Sequence, residues 1–208
     1  VNLANLLRAN GQFEAAIALL QPALAAAPNS VELRLTLGSA LREKGEADAA
    51  IAQYRAVLAL APRYVPALVN LADMLCDAGD RATARTLYDE ALAAEPRNAQ
   101  ARMNRAILHL LNGDLKDGWR DYAARAELPG KVPVIVDGPR FTPWTGGSLK
   151  RTRLLVRAEQ GVGDQILFAS LIPDLAARAR TEGGSVVLEC EPRLVPLLAR
   201  SFPGVTVR

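Results

Sequence analysis

Residues 37–62, LGSALREKGEADAAIAQYRAVLALAP, return in outline 34 positions later as residues 71–96, LADMLCDAGDRATARTLYDEALAAEP. Gly11, Gly45, Gly79 and Gly113 keep this interval of 34, and so do Pro28, Pro62 and Pro96. Glycine accepts the left-handed backbone that ends a helix, and proline cannot continue one. Each unit therefore reads as a first helix, a glycine turn, a second helix and a proline stop. A helical hairpin of this length stacks into arrays.

Other columns agree. Leu37 aligns with Leu71, Ala50 with Ala84 and Leu58 with Leu92, while Tyr54, Tyr88 and Tyr122 share one position. Gly38, Ala72 and Ala106 form a small-residue column, as expected where the two helices of a hairpin approach closely. On these columns the segments resemble tetratricopeptide repeats. That family's bulky aromatic early in the first helix is missing, since Arg34, Leu68 and Arg102 stand there. Three repeats are complete and a fourth begins before Val1; with no initiator Met, a trimmed piece of a longer protein is expected.

Composition narrows the class. The chain has 208 residues and 50% hydrophobic content, enough for one large or two modest domains. No apolar run approaches the roughly 18 residues of a membrane span, and no charged-then-apolar leader opens the chain. Cys76 and Cys190 fall in different segments, which argues against a disulfide framework and makes the cytoplasm the expected compartment. No metal site is expected.

Charge divides unevenly. Residues 1–128 hold 14 Lys/Arg against 15 Asp/Glu, a balance of −1, whereas residues 129–208 hold 11 against 7, a balance of +4. Lys150, Arg151, Arg153 and Arg157 supply much of that excess. The cluster is short, lacks interleaved aromatics and runs into an apolar strand, so it reads as a solvated strand entry or as an attraction for a phosphate or sugar nucleotide before it reads as a nucleic-acid footprint.

The 34-residue period stops at Leu128. Residues 129–151 are rich in proline and glycine and read as a connector between the repeats, 1–128, and a second domain, 152–208. There Leu154 to Ala158 and Val186 to Cys190 read as short strands, Asp164 to Arg180 and Pro192 to Arg200 as helices, and Val205 to Val207 as the start of a third strand. The alternation predicts a parallel, Rossmann-like α/β unit. Between the first strand and its helix lies Glu159-Gln160-Gly161-Val162-Gly163-Asp164, a loop whose backbone amides and helix start suit an anion or a polar substrate. Asp164 equally suits the role of helix N-cap.

The run Leu154-Leu155-Val156-Arg157-Ala158-Glu159-Gln160-Gly161-Val162-Gly163-Asp164-Gln165-Ile166, with Phe168 and Pro173, resembles the start of a glycosyltransferase-like domain found behind tetratricopeptide repeats in bacterial proteins. Gly118-Trp119-Arg120-Asp121-Tyr122 and Pro143-Trp144-Thr145-Gly146 resemble that family's junction. The resemblance extends to the heptosyltransferases and implies the N-terminal half of a GT-B type fold. It also implies that Asp164, in Gly163-Asp164, is a candidate general base for an acceptor hydroxyl. Glu159 is a second candidate base or a loop support, and Gln160, Gly161 and Gly163 shape the substrate loop. The resemblance implies a nucleotide-sugar donor for the whole protein. With the donor half not encoded, this piece is expected to hold no cofactor and to be inactive. The rival reading is a noncatalytic interaction scaffold with a degenerate Rossmann-like segment.

In such arrays the first helices line the concave face. One file along them reads Asn2, Thr36, Asn70, Asn104, resembling the asparagine ladder of the O-GlcNAc transferase superhelix, with Thr36 a departure. Asparagine carries donor and acceptor together, so the file suits an extended peptide backbone. Neighbouring files supply Asn5, Ser39 and Asp73, then Arg8 and Arg42, then Glu43 and Asp77. Asn2, Asn70, Asn104, Asp73, Asp77 and Arg42 are the candidate peptide-binding residues, the expected partner being a protein or peptide acceptor. His109 shares the column of Leu7, Leu41 and Leu75, which places it on a packing face. Trp119 and Tyr122 are expected to pack the last hairpin against the second domain.

Overall fold

A computed structural model describes residues 1–128, 142, 144–158 and 161–208. The chain divides into two compact units, Val1–Pro133 and Val134–Arg208.

The first unit is helical throughout its described residues. Four hairpins succeed one another: α1 (Asn2–Ala9) with α2 (Phe13–Ala26), α3 (Val31–Lys44) with α4 (Ala47–Leu60), α5 (Val65–Asp77) with α6 (Arg81–Ala94), and α7 (Ala99–Leu111) with α8 (Leu115–Tyr122). A 3-10 turn, Ala123–Glu127, closes the run. No strand occurs among residues 1–128. Side-chain caps set several starts: Ser30 Oγ accepts from the Leu33 N–H at 3.3 Å, Asp80 Oδ1 from Thr83 at 3.1 Å and Asn98 Oδ1 from Ala101 at 2.9 Å.

Each hairpin turns through a left-handed glycine, with φ of 73°, 91°, 88° and 82° at Gly11, Gly45, Gly79 and Gly113. In all four, the residue after the glycine donates its N–H to the same column of the first helix: Leu7, Leu41, Leu75 and His109. Pro28, Pro62 and Pro96 stand two residues beyond the ends of α2, α4 and α6.

The core is built from these columns. Ala16, Ala50 and Ala84 are fully buried, as are Ala72 and Ala106. Tyr54 and Tyr88 are the largest fully buried side chains. At Gly38 the approach is closer still, since a Cβ there would lie 2.7 Å from Tyr54 Cε1. Gly38 is thus the seat of the Tyr54 ring. Where the family's early aromatic is missing, Leu68 is buried, Arg34 donates to the Pro28 carbonyl at 2.9 Å and Arg102 pairs with Glu127 at 3.0 Å.

The second unit carries β1 (Arg153–Arg157), α9 (Val162–Ala169), α10 (Ile172–Glu182), β2 (Ser185–Glu189), a 3-10 turn Pro192–Leu194, α11 (Val195–Ser201) and β3 (Thr206–Val207). The strands form one parallel sheet in the order β1-β2-β3, with Arg153 opposite Ser185, Arg157 opposite Glu189 and Leu188 opposite Val207. Val186, Val187 and Leu188 are buried, and α10 is tied to the strand entry where Glu182 accepts from the Leu149 N–H at 2.6 Å.

Two local expectations are corrected. The helix read as Asp164 to Arg180 is two helices, parted at Ser170 and Leu171, because Pro173 falls in the first turn of α10 and cannot donate to a continuing helix. Asp164 is not the N-cap. Gly161 caps α9 with an extended backbone, and Asp164 lies in the first turn without a side-chain cap bond.

Candidate functional site

Three first helices, α3, α5 and α7, meet the start of α6 around a groove of about 390 Å³. Arg42 comes from α3, Asp73, Cys76 and Asp77 from α5, Arg81 and Tyr88 from α6, and Gln100, Asn104, Ile107, Leu108 and Leu111 from α7. Helical periodicity explains the grouping, since 73, 76 and 77 share one face of α5, as do 100, 104, 107, 108 and 111 of α7.

Asp73 is the centre of this site. Its Oδ1 accepts from the Tyr88 hydroxyl at 2.5 Å and from Asn104 Nδ2 at 2.6 Å, while Oδ2 lies 3.5 Å from Arg42 Nη1. Burial pushes its carboxyl above the ordinary value and Asp77 adds to this, but Tyr88, Arg42 and Asn104 pull the other way. The Tyr88 phenol is raised far above its ordinary range by burial and then by the Asp73 charge, so it stays a donor. Burial likewise raises the Cys76 thiol above its ordinary value. Asn104 is occupied at both ends, its Oδ1 accepting from Gln100 Nε2 at 2.7 Å.

Of the candidate peptide-binding residues, Arg42, Asp73, Asp77 and Asn104 come together in the groove. Asn70 is half-buried and outside its lining, and Asn2 is exposed on α1. Thr36, which interrupts that file, is buried, and its hydroxyl donates back to the Glu32 carbonyl at 2.8 Å. Arg8 and Glu43 close on each other through two bonds of 2.8 and 2.6 Å, with Asn5 accepting from Arg8.

Cys76, Arg81, Tyr88, Gln100, Ile107, Leu108 and Leu111 also line the groove and are not among the residues expected there. A signal existed for the apolar pair. Ile107 stands 34 after Asp73 in the file of Ser39, and Leu111 stands 34 after Asp77 in the file of Glu43. Both files are polar on α3 and α5 and turn apolar on α7, where Ile107 is 44% and Leu111 62% exposed.

A second polar joint lies between α6, α7 and α8. Arg105 donates to Asp89 at 2.7 Å and to buried Asp121 at 2.8 Å. Burial alone would lower the guanidinium's proton affinity, but the two carboxylates raise it overall. His109 is buried and 3.3 Å from Asp114, on the packing face its column predicts. Trp119 stacks edge-on to Tyr122 at 5.4 Å and remains half exposed.

In the second unit, Gly161, Gly163 and Asp164 lie past the carboxyl end of β1 and open α9. Glu159 and Gln160 lie outside the described residues. Across the same edge of the sheet, Glu189 pairs with Arg157 at 2.7 Å and with Arg208 at 3.0 Å. Among the described residues no group of three or more His, Cys, Asp or Glu is arranged to hold a metal, and no helix is long and apolar enough to cross a membrane.

Four glycine-turned hairpins, three of whose first helices share a groove, define a helical-repeat array. The family described as tetratricopeptide repeat matches residues 1–65 and 69–131, and the chain belongs to it. Protein FlbA of Caulobacter vibrioides is 37% identical over 107 residues, half of this chain but 17% of that relative's length. Among solved structures, MamA from Desulfovibrio magneticus is 21% identical, covers 63% of this chain and 74% of that one, and has a TM-score of 0.54. A thermophilic TPR protein of Thermus thermophilus is 21% identical over 62% of this chain and 72% of its own, with a TM-score of 0.55. The first TPR of Spaghetti (RPAP3), bound to the HSP90 peptide SRMEEVD, is 19% identical over 54% and 89%, with a TM-score of 0.51. At these identities the likeness is one of fold.

Proposed function

We propose that the array captures an extended segment of a protein partner in the groove between α3, α5 and α7. The observation that carries this is Asp73, held by donors from three hairpins on the floor of an open groove beside exposed apolar side chains. A polar centre organised in this way offers fixed acceptors and donors to a main chain, and apolar walls offer seats for side chains. That RPAP3's repeats hold a peptide supports the reading. The test is selection of peptides from an unbiased display library on the whole chain. Arg42→Ala and Asn104→Ala are expected to weaken the selected binders, and equal binding to both variants would place the site elsewhere.

A second reading rests on the parallel sheet and on Gly161, which opens α9 past the carboxyl end of β1. In it the second unit is the Rossmann-like N-terminal half of a GT-B type glycosyltransferase, to which the array brings a protein acceptor in the cytoplasm. Asp164 takes the acceptor hydroxyl proton, Glu159 assists or supports the loop, Gln160, Gly161 and Gly163 shape it, and a nucleotide sugar is the donor. Its rival is an interaction scaffold in which this unit is noncatalytic. Donor hydrolysis or transfer by the protein carrying the rest of this domain separates the two.

A further inference from the structure

We infer that the segment seated in the groove is extended and nearly uncharged, with one apolar side chain on Ile107 and Leu111 and its main chain bonded to Asp73 and Arg42. This rests on the proposal that the groove binds peptide.

Charge comes first. The groove is lined by Arg42 and Arg81 against Asp73 and Asp77, two of each sign, so neither an acidic nor a basic ligand gains from its overall field. An acidic tail would meet Asp73 and Asp77, and a basic one Arg42 and Arg81.

Hydrogen-bond capacity then selects the main chain. Asp73 Oδ1 is filled by Tyr88 and Asn104, whereas among the described residues Oδ2 meets only Arg42 at 3.5 Å, longer than the roughly 2.7–2.9 Å of a charge-assisted bond. That oxygen can accept a further donor. Among the described residues Arg42 has no other ion pair or side-chain hydrogen bond, so its remaining N–H groups are open to an acceptor. A peptide unit presents one N–H and one C=O and satisfies both without importing charge. Asn104 spends its amide on Asp73 and Gln100, so it is a positioning residue that fixes Oδ1 and leaves Oδ2 to the ligand.

The apolar wall supplies the anchor. Ile107 and Leu111 are four apart on α7, share one face and stand exposed where the preceding hairpins carry Ser39, Asp73, Glu43 and Asp77 in the same files. The exposed apolar pair thus stands one hairpin beyond Asp73 and two beyond Arg42, as an extended segment crossing the stack requires.

The experiment uses the whole chain and peptides selected from an unbiased library, read by fluorescence anisotropy. Selected peptides are expected to share one apolar position and a net charge near zero, with affinity changing less than about threefold between about 0.05 and 0.5 M salt. The double change Ile107→Ser and Leu111→Ser, at exposed positions that leave the fold intact by circular dichroism, is expected to weaken them about tenfold or more. Acidic peptides such as SRMEEVD dominating the selection, with affinity lost in salt and kept in the double variant, would overturn the inference while leaving peptide capture standing. Selected binders unaffected by every groove variant would overturn the underlying reading itself.

Discussion

Tyr88 donates its hydroxyl to Asp73 Oδ1 across 2.5 Å, tying the second helix of one hairpin to the first helix of the same hairpin fifteen residues back. One repeat earlier Tyr54 reaches Ser39 with the same offset, at 3.4 Å. The scaffold bond of one hairpin is therefore a site bond in the next. Tyr88→Phe is expected to cost about 1–2 kcal/mol, because it leaves a largely buried carboxylate short of a donor. Tyr54→Phe should cost less than about 1 kcal/mol, its bond being long and to a neutral partner. Urea denaturation of both variants checks the order, and equal costs would contradict it.

Gly79→Ala tests the turn alone. Its φ is 88°, and a Cβ there would meet nothing within 4 Å, so the expected cost of about 1 kcal/mol comes from backbone conformation only. Gly38→Ala is different in kind, since its new methyl presses on the Tyr54 ring at 2.7 Å and that ring must shift. Melting temperatures should fall in both, whereas the tyrosine fluorescence environment should change only in Gly38→Ala.

Acid is expected to loosen the second unit through Glu182. Arg178 donating to its side chain, then the Leu149 N–H and the Ser148 hydroxyl, lower its pKa from 4.5 to about 2. A depressed carboxyl contributes stability above its unfolded value, near pH 4.5, and loses it as pH falls toward 2. Glu182→Gln should flatten the pH dependence of unfolding in that window. An unchanged profile would mean that another group governs it.

Asp164→Asn distinguishes chemistry from support in the second unit. Because Asp164 makes no cap bond, stability should hold. If the sugar-transfer reading is right, turnover in the protein carrying the complete domain should drop by about 100-fold or more. An unaltered rate would favour the scaffold.

The hairpins were legible because glycine, proline and the small residues act locally: a left-handed turn or a close approach excludes other residues at each repeat. The split of α9 from α10 was written in Pro173, but the apolar residues Ile166 to Ala169 and Leu171 to Ile172 on either side of Ser170 mask it. Groove chemistry was half legible. Files along the first helices locate Asp73, Asp77, Arg42 and Asn104, since helical spacing aligns them. They do not reveal that Tyr88 crosses from the partner helix to hold Asp73, nor that Asn104 is spent on the same task, because both depend on how two helices pack. Asn70 shares Asn104's column but lacks its neighbours, for Gln100 and Asp73 recur as Pro66 and Ser39 one repeat back.

Since all four turns share one backbone geometry, the array can change length by whole hairpins without inventing a junction. Removing residues 46–79 would join Gly45 to Asp80 and pair α3 with α6, so that Tyr88 would face Ser39 in place of Asp73. Such a protein would keep its architecture and lose its acidic centre. Duplication and loss of 34-residue units could in this way rewrite what the groove accepts while the scaffold stays constant.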